Sequence, residues 1–225
     1  MMAAVAAREL ADGEVVFVGI GLPNLACNLA LRTHAPHLVL IYESGAVGAT
    51  PTRLPVSIGD PALVTGSLMV CGMADVFQLF LQNGRIDVGF LGGAQVDRYG
   101  NINTTVIGPY ERPKVRLPGS GGAAEIAIHA RRIVIVSQLS PRAFPERVDF
   151  LTSPGARVAR VITDKGVLER DGANGELILS ALYPSVTAAD VQAGVGWTLR
   201  SRPRLTQLDP PTATELGALR ELLRS

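Results

Sequence analysis

The stretch LVLIYESGAVGATP, residues 38–51, begins with four apolar residues and then places a carboxylate, Glu43, before the small residues Ser44 and Gly45. The apolar run predicts a buried strand, and the small residues after it indicate a turn. Glu43 therefore lies at the end of a strand. It is either a solvated charge or a carboxylate exposed to a reactant, and taken alone the solvated charge is the simpler interpretation.

Segments on either side of this stretch alternate in the same way. EVVFVGIG (residues 14–21) and IDVGFLGG (86–93) predict strands that end in glycine turns, whereas PNLACNLALR (23–32) and ADVFQLFLQNG (74–84) predict helices. Strands that alternate with helices favour a parallel sheet with loops and helix starts at one edge. We predict an α/β fold with an open, mostly parallel sheet, flanked by helices and extended by additional hairpins.

The chain shows no internal repeat and no linker, so we predict a single domain over residues 1–225. The 21 Lys and Arg residues balance the 20 Asp and Glu residues, which argues against nucleic acid or membrane surfaces as partners. Cys27 and Cys71 are single and far apart, a pattern typical of the reducing cytoplasm. We expect neither secretion nor a membrane span.

Few catalytic groups are available in this sequence. Three histidines without suitable spacing disfavour Ser-His-Asp and Cys-His systems, and neither a P-loop nor an HExxH pair occurs. We therefore expect no metal site and no permanently bound cofactor.

Two glycine-rich loops each open a predicted helix: GIG (residues 19–21) and LPGSGG (117–122). Each is either a tight turn or a helix start whose backbone N–H groups hold an anion or a developing oxyanion. Two such loops together with Glu43 suit covalent catalysis by a glutamate.

A series of sequence blocks extends over most of the chain in a specific order. These blocks are VGIGLPNLACNLA, YESG, LPVSIGDPAL, GRIDVGFLGGAQVDRYGNINTTVIG, RLPGSGGAAEIA, ERVDFLTSPG, VITDKGVL and LYPSVTAADVQ. In this order they resemble the family I coenzyme A transferases, in particular the beta subunits of the glutaconate CoA-transferase type. The fold that this resemblance implies is an open α/β sheet wrapped by helices.

The resemblance implies that Glu43, in the E-S-G motif, is the nucleophile of a ping-pong CoA transfer through a glutamyl-CoA thioester, with coenzyme A as substrate. It implies that Gly122 in the GSGG loop belongs to an oxyanion site and that Gly21 supplies a second amide. It also assigns Gly121, Gln95 and Asn101 to the CoA-binding region.

The resemblance further implies a separate alpha subunit of the CoA-transferase, in a heterotetramer or larger assembly, and a small dicarboxylic or oxo acid as the CoA acceptor. Ala181 stands where the succinyl-CoA:3-oxoacid branch has a glutamate, which favours the glutaconate-like branch. Two alternatives stay open: a subunit that hydrolyses an acyl-CoA or opens a CoA-linked ring, and a noncatalytic subunit that binds CoA or acts as a scaffold.

Overall fold

A computed structural model of the chain describes residues 1–51 and 53–224. Backbone contacts divide the chain into two compact units. The first unit comprises Met1–Leu91, His129–Arg132 and the C-terminal residues from Pro211, and the second comprises Gly92–Ile128 and Ile133–Pro210. The single domain over residues 1–225 stays a prediction.

Six α-helices occur in the described ranges: α1 (Met2–Arg8), α2 (Leu22–Leu31), α3 (Met73–Asp75), α4 (Ala123–His129), α5 (Ala188–Gln192) and α6 (Ala213–Arg224). A 3-10 turn spans Pro61–Val64, and α3 continues into a π-helical segment, Val76–Leu81. Outside position 52 and the last residue, no helix has the length and apolarity to cross a membrane.

Fourteen strands are found in the same ranges. They are β1 (Val15–Phe17), β2 (Val39–Ile41), β3 (Ala46–Val47), β4 (Met69–Val70), β5 (Val88–Leu91), β6 (Gln95–Val96), β7 (Ile102–Asn103), β8 (Val106–Ile107), β9 (Val115–Arg116), β10 (Arg132–Val136), β11 (Val158–Ile162), β12 (Gly166–Arg170), β13 (Leu177–Leu182) and β14 (Ser201–Gln207).

The strands of the first unit are ordered β5-β1-β2-β3-β4. β1 pairs in parallel with both β2 and β5, whereas β3 and β4 add antiparallel pairs at the edge. Phe17 at the end of β1 is aligned with Ile41 at the end of β2. Because the carboxyl ends of parallel strands meet at one sheet edge, the glycine turn after β1 and the turn after β2 are neighbours.

The strands β11 to β14 of the second unit are ordered β14-β13-β12-β11, with β10 on the far side of β11. β10 and β11 are parallel, β11 to β13 are antiparallel, and β14 is parallel to β13. Two hairpins, β6–β7 and β8–β9, follow the predicted turn-rich region. The predicted α/β fold, with parallel strands, flanking helices and added hairpins, is confirmed.

Sequence patterns did not indicate β14. This strand lies at the end of the strand order, its residues are almost all exposed, and it contains Pro203 between Arg202 and Arg204. Proline and charged residues are tolerated on an edge strand, where one row of backbone groups has no strand partner. An edge strand therefore lacks the apolar alternation by which strands are found in a sequence.

An ion pair joins the two ends of the first unit's sequence. Arg8 on α1 donates from Nε and Nη2 to the two carboxylate oxygens of Glu215 on α6, at 2.8 and 2.6 Å. Glu215 also accepts from the Thr212 backbone N–H at 2.7 Å, and its own N–H donates to Thr212 Oγ1 at 3.2 Å, which caps α6. Hydrogen bonding from Arg8, followed by the Thr212 amide, lowers the pKa of Glu215 from 4.5 to about 2 although burial opposes the shift.

We expect Glu215→Gln to lower the free energy of unfolding at pH 7 by roughly 1–3 kcal/mol, because the charged hydrogen bonds to Arg8 are lost. Since the folded pKa lies below the unfolded value, the wild-type contribution is complete above pH 4.5 and is lost as the pH falls toward about 2. Urea unfolding at pH 7 and pH 3 measures this, with the exposed Glu221→Gln on the same helix as control. Equal losses at the two pH values would contradict it.

Candidate active site

Glu43 and Ser44 occupy the centre of a tight turn after β2. The Gly45 N–H donates to the Tyr42 carbonyl at 2.9 Å, and the Tyr42 N–H donates to the Ala46 carbonyl at 2.9 Å, so the turn is closed on both sides. Glu43 is half-buried and Ser44 is exposed. Within residues 1–51 and 53–224 no hydrogen bond or ion pair engages the Glu43 carboxylate. This carboxylate is therefore available to a reactant.

The glycine of the E-S-G motif is required by a close backbone approach. Gly45 has φ +107, and a β-carbon at this position would overlap the carbonyl oxygen of Cys71. The Cys71 N–H also donates to the Gly45 carbonyl at 3.0 Å. Only glycine combines this backbone angle with so close a neighbour, so Gly45 fixes the sharp turn that carries Glu43.

The glycine turn after β1 is open to solvent. Gly21 is the N-cap of α2, with φ +77, and a β-carbon there would have no atom within 4 Å. Pro23 lies in the first turn, as the sequence predicted. The N–H groups of a first helical turn have no partner within the helix, so this end of α2 can hold an anion or an oxyanion.

A buried polar network lies between these two turns, and sequence reasoning missed it. Asn24 on α2 donates from Nδ2 to the Tyr42 hydroxyl at 2.7 Å and to the Gly19 carbonyl at 3.4 Å. Asn28 donates from Nδ2 to Asn24 Oδ1 and to the Asn24 carbonyl, both at 3.0 Å. The signal in the sequence is a pair of asparagines four residues apart in an otherwise apolar helix.

Burial is the main feature of this network. Tyr42, Asn24 and Asn28 are exposed by only 0%, 1% and 4%. Burial raises the pKa of Tyr42 to about 12 although the hydrogen bond from Asn24 opposes the shift, so its hydroxyl stays protonated at neutral pH. Buried polar groups of this kind are costly unless they are hydrogen-bonded, and here each side chain has a partner.

The second glycine-rich loop has the backbone conformation that its sequence suggested. Gly119 and Gly121 have φ +99 and +48, and the Gly119 N–H donates to the Thr104 carbonyl at 2.8 Å. Gly121 is exposed, and a β-carbon there would meet no atom within 4 Å, whereas Gly122 is buried. The loop leads directly into the short helix α4.

The side chain of Gln95 is committed to internal hydrogen bonds. Its Oε1 accepts from Asn103 Nδ2 at 2.7 Å and from the Asp149 N–H at 3.0 Å, and its Nε2 donates to Asp149 Oδ2 at 3.2 Å. Gln95 is buried and lies on β6, opposite Asn103 on β7. It ties this hairpin to the segment that contains Asp149.

Asn101 is engaged in a similar way. Its Nδ2 donates to Asp97 Oδ2 at 3.1 Å, and its Oδ1 accepts from the Gly155 N–H at 2.9 Å. The residue also borders a cavity of about 580 Å³ together with Arg98 and Arg147. Both Gln95 and Asn101 thus hold the hairpin region in shape, and a role for them in binding CoA stays a prediction.

The structure brings some of the predicted site residues together. Gly21 and Glu43 belong to the first unit and follow neighbouring parallel strands. The second unit contains the other four, Gln95, Asn101, Gly121 and Gly122. The roles assigned to all six residues stay predictions. In the part of the chain that the structure describes, no group of three or more His, Cys, Asp or Glu side chains could hold a metal ion.

Comparison with known proteins gives consistent matches. The sequence model of the Coenzyme A transferase family matches residues 1–194. The beta subunit of the 3-oxoadipate CoA-transferase of Pseudomonas knackmussii is 47% identical, over 99% of this chain and 91% of the relative. The beta subunit of the glutaconate CoA-transferase of Acidaminococcus fermentans is 33% identical, over 98% of this chain and 90% of the relative.

Solved structures share the fold. The crystal structure of glutaconate coenzyme A-transferase from Acidaminococcus fermentans matches with a TM-score of 0.91 and 32% identity, covering 99% of this chain and 92% of that chain. The decarboxylase AibA/AibB matches with a TM-score of 0.90 and 30% identity, covering 98% of this chain and 92% of that chain.

The geometry of the Glu43 turn predicts a specific cost for a β-carbon at Gly45. We expect Gly13→Ala, at a glycine with φ +83 and open space around it, to lower the free energy of unfolding through backbone strain alone, by about 1–2 kcal/mol. Gly45→Ala should cost roughly a further 1–3 kcal/mol, because the Cys71 backbone must move. Chemical denaturation of both variants measures the difference, and equal losses would contradict the close approach.

Proposed function

Because this chain belongs to the coenzyme A transferase family and is a CoA-transferase, we propose that Glu43 is the nucleophile of a ping-pong transfer. The observation that supports this most directly is the position of Glu43. It is a half-buried carboxylate at the centre of a turn fixed by Gly45, and it is engaged by no other described residue. A nucleophile must reach its substrate without first breaking an ion pair.

In this proposal the Glu43 carboxylate attacks the thioester carbonyl of an acyl-CoA, and the C–S bond breaks. The products of this step are a mixed anhydride on Glu43 and the CoA thiolate. The thiolate then attacks the glutamyl carbonyl, which gives a γ-glutamyl-CoA thioester and releases the first carboxylic acid. A second carboxylate enters and the steps run in reverse, so the thioester bond is conserved without ATP.

Each acyl transfer passes through a tetrahedral oxyanion, which backbone N–H groups can stabilise. We assign this role to Gly122 in the second glycine-rich loop and to the turn at Gly21. The solvent-open backbone at Gly21 supports the second assignment, because a ligand atom can approach it. Loss of one such donor typically raises the barrier by about 3 kcal/mol.

We propose a short dicarboxylic or oxo acid as the CoA acceptor. The names of the two similar beta subunits support this class, since 3-oxoadipate and glutaconate are both dicarboxylates. Two free cysteines, Cys27 and Cys71, support a reducing cytoplasm as the site of action.

We further propose that the chain acts with a partner of the alpha type, since both similar relatives are named as one of two kinds of subunit. Exposed apolar side chains beside the Glu43 turn support a partner. Leu68, Val70 and Met73 are exposed by 78%, 60% and 54%, on or next to the edge strand β4. Side chains of this kind are usually covered in an assembly.

Trapping of the covalent intermediate tests the role of Glu43. We expect hydroxylamine treatment of the complex, after incubation with acyl-CoA and no acceptor, to modify Glu43, because a glutamyl thioester is open to attack by amines. Glu43→Gln should lower transfer by roughly 1000-fold or more and abolish the modification. Mass spectrometry of the peptide that contains Glu43 measures it.

Glu221→Gln, an exposed acid on α6, is the matched control and should keep full activity. A modification at another residue, or undiminished transfer by Glu43→Gln, would rule out Glu43 as the nucleophile. Release of free CoA at the same rate with and without an acceptor acid would indicate a hydrolase instead of a transferase.

A screen of acceptor acids tests the substrate class. With the complex of both subunits and a fixed acyl-CoA donor, we expect 3-oxoadipate and glutaconate to be used with a kcat/KM at least about 10-fold above that of acetate, because a second carboxylate adds binding energy. The chain without its partner should show no transfer. Preference for acetate, or turnover by the isolated chain, would contradict the corresponding part of the proposal.

A further inference from the structure

Tyr42 anchors the turn that carries Glu43 at three points. Its backbone N–H and carbonyl close the turn through Ala46 and Gly45, and its side-chain hydroxyl accepts the hydrogen bond from Asn24 at 2.7 Å. The first two contacts define the shape of the turn. The third ties the turn to a second element, helix α2.

Asn24 is shared by the two turns that follow β1 and β2. Its Nδ2 lies 2.7 Å from the Tyr42 hydroxyl, beside the Glu43 turn, and 3.4 Å from the Gly19 carbonyl, in the glycine turn. Asn28, one helical turn later, holds the Asn24 carboxamide in place through its Oδ1 and carbonyl. A single side chain therefore sets the separation of the Glu43 turn from the start of α2.

Core packing alone does not account for this arrangement. Apolar residues of similar volume would fill the same space without the cost of burying three polar side chains. What a hydrogen-bonded network adds is direction, because it admits one relative placement of its members where apolar contacts admit several.

We propose that Asn24 and Tyr42 are positioning residues that hold the Glu43 carboxylate at a fixed place relative to the backbone N–H groups at the start of α2. This inference rests on the proposed role of Glu43 as nucleophile. Neither side chain touches the reacting atoms, since both are buried beneath the turn. Their contribution is to the geometry of attack, on which rates depend steeply.

Steady-state kinetics of Tyr42→Phe in the complex of both subunits tests the inference. We expect kcat to fall about 10- to 100-fold, because the turn is no longer fixed to α2, while KM stays within about twofold. Asn24→Leu should do the same. If both act through one hydrogen bond, the double variant should lose no more than the more impaired single variant.

Tyr183→Phe is the matched control. Tyr183 is also buried, but its hydroxyl has no hydrogen-bond partner among the described residues, so removal of this oxygen should leave kcat unchanged. A folded Tyr42→Phe enzyme with kcat within about twofold of wild type would overturn the inference. So would an equal effect of Tyr183→Phe, which would indicate a general effect of removing a buried hydroxyl.

If Tyr42→Phe fails to fold, Asn28→Ala decides, because it frees the Asn24 carboxamide and leaves the Tyr42 hydroxyl in place. A lower kcat at constant KM supports the inference, and an unchanged kcat overturns it. Hydroxylamine trapping on the wild-type complex separates this result from the proposed function. Absence of modification at Glu43 would refute the nucleophile, whereas slowed modification at Glu43 in Tyr42→Phe is the result expected here.

Discussion

The close approach of the Gly45 backbone to the Cys71 carbonyl is the constraint on which the candidate site depends. It forces glycine at this position, and with the Tyr42 hydrogen bonds it turns the chain sharply after β2. The same approach brings β4 alongside β3, at the edge of the first unit's sheet. A residue with a β-carbon at position 45 would move both the edge strand and the carboxylate, so the E-S-G spacing is a requirement of the backbone as much as of the chemistry.

Polar groups near this turn divide into two kinds. Asn24, Asn28 and Tyr42 are buried and fully engaged with one another, whereas Glu43 has no partner among the described residues. This contrast is typical of a reactive group that is held by its supporting residues and left open to substrate. Gln95 and Asn101 are of the first kind, because their amide groups bond to Asn103, Asp149, Asp97 and Gly155.

The fold does not by itself determine the reaction. A decarboxylase, AibA/AibB, matches this chain almost as well as glutaconate coenzyme A-transferase does, with TM-scores of 0.90 and 0.91. One α/β scaffold therefore carries different chemistries, and the assignment of a reaction rests on the residues of the site. In this chain the turn after β2 presents a glutamate, which suits acyl transfer through a covalent carboxylate.

The sequence by itself determined the α/β alternation, the hairpin region after β5 and the threonine caps of α5 and α6, because these depend on local periodicity and turn residues. It also singled out Glu43 and the two glycine loops. Tertiary structure alone decided why Gly45 is required, how Asn24 connects two turns and where the edge strand β14 lies. These features depend on contacts between residues far apart in the chain, such as Gly45 with Cys71 and Asn24 with Tyr42, and no local pattern records such contacts.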